Sequence, residues 1–130
     1  MPWVEIFAVF FVCHLVGDFA LQTEWQAQHK RGGLGPDATS RRALVTHVTT
    51  YTLAFVPAVI WIWDSIGGGA LAVAAVIFVT HLIQDDGRLI DSYMRRIKHT
   101  TSGDRPLIAM MVDQTFHVLL LFALALVAAS

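Results

Sequence analysis

The sequence predicts an all-α integral membrane protein, a four-helix bundle, and three observations carry that prediction. Hydrophobic residues make up 55% of the chain and charged ones only 15%, with a positive mean hydropathy, a balance that is high for a soluble domain of 130 residues. The apolar residues gather into four runs of about the length that crosses a hydrocarbon core, roughly 20 residues. All nine Lys and Arg residues fall in two of the stretches between those runs, as they do in membrane proteins whose loops carry an orientation signal.

The first helix is expected at about 3–24. Within it His14, Asp18 and Gln22 recur at a spacing of four, close to one turn, so they line one face. The start, Met1-Pro2-Trp3-Val4-Glu5, has no basic region, and His14 and Asp18 interrupt the run where a signal peptide would be purely apolar. The segment therefore reads as a retained helix. Residues 24–31 turn polar, with Trp25 suited to the headgroup level, and the glycines and proline of 32–37 break the helix. A second helix is expected at about 41–63, with Ser40 as its N-cap and Pro57 bending it. Trp61 and Trp63 fit an aromatic belt, and the glycines of 64–69 make a tight turn that sets the second and third helices antiparallel. The third helix is expected at about 70–96, its tail from Arg88 amphipathic and outside the bilayer. Thr100 to Asp104 ends it, and Pro106 opens a fourth helix running to about 128. With no internal repeat, residues 1–130 read as a single transmembrane domain. The one cysteine, Cys13, excludes an intrachain disulfide and a thiolate metal cluster.

The basic residues lie between the first and second helices and between the third and fourth. Alternating spans put both loops on one side, which the positive-inside rule makes the cytoplasm, with both termini outside. Counted inward from the cytoplasmic ends, Asp18, His81 and Asp113 are each seven residues deep, roughly 10 Å at the helical rise. His47 lies at five, and His14 and His117 one turn deeper. Four helices thus deliver His and Asp to one shallow layer, which implies a polar cavity open to the cytoplasm.

An ionised carboxylate within a bilayer costs about 2.5–3.5 kcal/mol even on the lenient insertion scale. Several of them need a positive partner. Imidazole and carboxylate without thiolate suit zinc, manganese or iron, and pairs at i and i+4 grip an ion from one helix face. The expected metal ligands are His14, Asp18, His47, His81, Asp85, Asp113 and His117, with two ions admitted by the carboxylate charge and with His47 and Asp18 as the catalytic candidates. The leading expectation is hydrolysis of a phosphoester or related bond in an anionic lipid or nucleotide, a basic-loop arginine receiving the anionic group. Other readings stay open: a proton or ion relay, opposed by the apolar outer halves of the helices; a b-type haem protein, opposed by the aspartates; and a structural or effector protein whose polar layer is interhelical glue. His29 and His99 read as solvated loop residues, Gln22, Gln114 and Tyr51 as supporting groups. The expected partner is the lipid bilayer, with a homo-oligomer admitted and no nucleic acid expected.

The run His14-xxx-Asp18-Phe19-Ala20-Leu21-Gln22, followed by Lys30, His47 with Tyr51, and His81-xxx-Asp85, resembles a family of small bacterial and phage membrane proteins catalogued as domain of unknown function 3307. The resemblance covers most of the chain and implies a membrane bundle, here of a bacterial inner membrane, with no activity to carry over. The run Asp85-Asp86-Gly87-Arg88 departs from that family's pattern, a single Asp followed by a lysine, which puts Asp86 in doubt as a ligand. A looser similarity, at the level of fold and residue type, is to inner-membrane proteins labelled metal-dependent hydrolases.

Overall fold

A computed structural model describes residues 1–130 and is helical throughout, without strands. The elements are α1 (Trp3–Leu15), a π turn (Val16–Ala20), α2 (Glu24–His29), α3 (Ala38–Ala54), α4 (Val56–Ile66), α5 (Gly69–Asp86), α6 (Arg88–Arg96) and α7 (Pro106–Ala129). Trp3–Ala20, Gly69–Asp86 and Pro106–Ala129 are long and apolar enough to cross a membrane, and α3 with α4 makes a fourth such span if the bent pair is counted as one.

Three of the four expected helices are broken, each for a local reason. The first stops at Ala20 rather than continuing to 24: the Leu21 N–H donates to Val16 O, five residues back. The extra residue in that turn takes Gln22 off the face it was expected to share with Asp18. A separate helix, α2, starts from a capping box in which Thr23 and Gln26 satisfy each other's backbone N–H groups. The second expected helix begins at Ala38, with Asp37 and not Ser40 as N-cap. The Ser40 N–H and hydroxyl both donate to Asp37 at 2.8 Å and hold its carboxyl below the usual range. The same helix then bends by 52° between Ala54 and Val56, because the Pro57 ring conflicts with the carbonyl four residues before it. The third breaks at Gly87, whose φ of +90° suits glycine. The fourth, α7, runs as expected.

Beside an apolar core, the chain exposes many apolar side chains and buries a set of polar ones. Ile60, Leu71, Val79, Leu119 and Val127 are among many exposed apolar side chains, while His14, Asp18, His47, His81, Asp85, Asp86 and His117 are buried. An apolar exterior over polar buried groups is what a hydrocarbon solvent selects. Threonines 46, 49, 50, 52, 80 and 115 return their hydroxyls to helix carbonyls three or four residues back, so they too tolerate that solvent.

Helices α1 and α7 pack antiparallel: Trp3 and Phe7 meet Phe122 edge-on, and His14 reaches Gln114. Near the termini the bundle is closed by a core that includes Ile6, Phe10, Phe55, Ile62, Val73 and Leu121. The two basic loops meet at the other end, where Arg31 pairs with Asp91 and the Gly32 N–H donates to Asp86 O at 2.8 Å. Helix α6 lays Ile90 and Met94 against Ala109 and Phe116, so its apolar face covers the start of α7.

Asp86 belongs to this seam. Its Oδ1 accepts from the Leu34 N–H at 2.9 Å and its Oδ2 pairs with Arg88 at 3.2 Å. Asp86→Ala removes the loop's anchor and leaves its N–H unpaired, for an expected loss of about 1–2 kcal/mol. Thermal unfolding in detergent reads this, with faster proteolysis across residues 31–36 and unchanged metal content; a loss of metal equal to that of the Asp18 variant below would place Asp86 in the site after all.

Candidate metal centre

Three elements bring four of the buried polar groups together. The π turn presents Asp18, α3 presents His47, and the last turns of α5 present His81 and Asp85 one above the other. The π turn fits against α3 because residue 17 is glycine: a Cβ there would lie 2.7 Å from the Tyr51 ring and 3.2 Å from its Cα.

His47 Nε2, His81 Nε2, Asp18 Oδ1 and Asp85 Oδ2 converge. Five of the six distances among them lie between 2.9 and 3.3 Å. A regular tetrahedron of edge about 3.1 Å has its centre about 1.9 Å from each corner, close to the roughly 2.0–2.2 Å of zinc–nitrogen and zinc–oxygen bonds. The hydrogen-bond chemistry points the same way. As donors the two Nε2–H groups would collide, and as acceptors they would face carboxylate oxygens; one central cation satisfies all four atoms. The Nδ1 atoms of both rings are buried without partners, so packing orients them, chiefly the Tyr51 ring stacked on His81 at 3.5 Å and 5°.

Asp85 has contacts in two directions. Its Oδ2 touches His47, His81 and, at 2.7 Å, Lys30 Nζ, while its Oδ1 lies 3.0 Å from His117 Nε2. Asp85, Asp113 and His117 form a second group spaced to hold an ion. Of the seven ligands expected from the sequence, six fall into these two groups, and His14 falls into neither. Its partners explain this: Tyr51 OH is 2.9 Å from Nδ1 and Gln114 Oε1 is 2.8 Å from Nε2. Since Gln114 Nε2 donates to Asp18 Oδ2 at 3.0 Å, Oε1 accepts from His14 Nε2–H, and Nδ1 accepts from the tyrosine. Both His14 nitrogens are used. The chain Tyr51, His14, Gln114, Asp18 holds the Asp18 carboxylate from behind.

In the sequence Lys30 was legible as a loop cation and as part of the family resemblance, with no partner assigned. In the fold α2 turns it back, and its Nζ bridges Asp85 and Gln22 Oε1 at 2.7 Å each. That is how Gln22 reaches the site after leaving the helix face. Beside these residues opens a cavity of about 790 Å³, with Asp18, Asp85, Asp113 and Gln114 on its wall and Lys30, Arg31 and Arg95 around it. His29 accordingly sits outside, bonded to Trp25 O.

Fold and site together define a helical protein with three or four segments able to cross a membrane and with buried His/Asp groups spaced to hold a metal ion. Residues 6–130 match the family described as protein of unknown function (DUF3307), and the chain belongs to that family. No curated protein and no solved structure matches it, so the looser likeness to metal-dependent hydrolases has no relative behind it.

Proposed function

We propose that the protein is a multi-pass protein of a bacterial inner membrane that hydrolyses a phosphoester or related bond at a divalent-metal centre held by Asp18, His47, His81 and Asp85. The single observation that carries this reading is the convergence of those four ligand atoms, all within 4.8 Å of one another, at the wall of a polar cavity. A bound zinc, manganese or iron ion would polarise the phosphoryl group and activate water. In this reading Asp18 and His47 are ligands, and Lys30, Arg31 and Arg95 receive the anionic part of a lipid or nucleotide entering from the cytoplasm. The apolar core toward the termini favours a one-sided site over a relay path. The 3.1 Å between the His47 and His81 Nε2 atoms leaves no room for a haem between them.

The test is elemental analysis of detergent-purified protein, wild type beside Asp18→Ala/His81→Ala, followed by turnover assays on phosphomonoester and phosphodiester substrates. Bound metal lost in the variant, with turnover abolished by a chelator, is the expected result. No metal in protein purified without chelator would sink the reading. A second reading is favoured by the completeness of the ligand set: four protein ligands are typical of structural sites. It expects the chelator to lower thermal stability with no turnover to abolish.

A further inference from the structure

The His117 ring stands beside the four-ligand group with both of its nitrogens against oxygen atoms. Its Nδ1 lies 2.7 Å from the Asp113 carbonyl oxygen, which can only accept, so Nδ1 carries the proton. With Nδ1 protonated, Nε2 faces Asp85 Oδ1, another acceptor, 3.0 Å away, either as a second N–H or as a lone pair with a cation in between. Two acceptors at that distance need a proton or a cation between them. A backbone carbonyl holding the far N–H of an imidazole is also the arrangement that orients metal-bound histidines.

We propose that a second divalent ion binds Asp85 Oδ1, His117 Nε2 and the Asp113 carboxylate, with Asp85 bridging it to the first ion. This rests on the metal reading of the Asp18–His47–His81–Asp85 group. The two oxygens of Asp85 are already divided as a bridge requires: Oδ2 faces His47 and His81, Oδ1 faces His117. Asp113 is the one ligand of the set that is partly exposed, and it lines the cavity. Three protein ligands leave coordination positions on that side, where the first group is complete. The second ion therefore takes the substrate: an anionic phosphoryl oxygen on its open positions, with the rest of the anion against Lys30 and Arg95. Two carboxylates and one imidazole suit manganese or zinc, and an ion with open positions would polarise a phosphoryl oxygen placed on it.

The experiment loads purified protein with Mn²⁺ and measures ions per chain together with the electron paramagnetic resonance spectrum. Wild type is expected to hold two ions with an exchange-coupled spectrum. Asp113→Asn and, independently, His117→Gln are expected to hold one, with the six-line pattern of an isolated ion and unchanged helicity. One ion in wild type, unaltered by Asp113→Asn, overturns the second site, assigns the Asp85–His117 contact to a shared proton, and leaves the first site standing. No ion in wild type removes both. Loss of both ions from a fully helical Asp113→Asn also overturns the proposal, since it makes Asp113 part of the first site.

Discussion

Asp85→Ala is expected to unfold the protein more readily than any other single change in the site and to empty it of metal. Its carboxylate touches Lys30, His47, His81 and His117 at 2.7–3.1 Å and is almost wholly buried. Removing it leaves the partly exposed Lys30 ammonium with Gln22 alone and takes the acceptor from the buried His47, His81 and His117 rings, at a cost of about 1–3 kcal/mol. Asp85→Asn keeps the shape and offers Lys30 a carbonyl, so it recovers part of the stability but no metal. Denaturant titration in detergent micelles, paired with metal analysis of both variants, separates the two effects. An Asp85→Ala protein as stable as wild type would show that the polar layer is wetter and less coupled than its geometry implies.

Gly17→Ala is expected to damage the site without touching a single ligand. The new methyl would stand 2.7 Å from the Tyr51 ring and 3.2 Å from its Cα, and Tyr51 has nowhere to go: its other face stacks on His81 at 3.5 Å and its hydroxyl is held by His14. The clash moves the π turn away from α3, taking Asp18 from His47 and His81. Overpacking of this kind costs about 1–3 kcal/mol, and metal affinity falls with it. Tyr51→Leu relieves the clash, so Gly17→Ala/Tyr51→Leu should lose less than the sum of its single changes. Strict additivity would mean that the two residues do not meet.

Much of this was legible in the chain. The grouping of Asp18 with His81 and of Asp113 with His117 was the legible part of the layer; the counts to Asp18 and His81 crossed the breaks after Ala20 and at Gly87, so they fix no depth. The meeting of the two basic loops followed from alternating spans, and Arg31 pairs with Asp91 at that end. The bend at Pro57 and the turn at Gly67 and Gly68 followed from backbone chemistry. The π turn did not follow: a period of four fits Val16–Ala20 as an ordinary helix, and only the approach of Tyr51 over Gly17 selects the wider turn. The break at Gly87 was missed because a glycine inside an amphipathic run is compatible with either a helix or a kink until the contact of that turn with Arg31 is known.

The sequence by itself determined that this chain is helical, apolar outside, and supplied with His and Asp on its apolar helices, since composition, periodicity and charge placement act locally and add up along the chain. Only the tertiary structure decided which side chains stand close enough to hold an ion together. It set His14 apart as an orienting group, drew Lys30 onto Asp85, and divided the Asp85 oxygens between two neighbours. These choices hang on contacts between residues as many as 100 positions apart, where a shift of an ångström changes which atom faces which, and no local pattern carries that information.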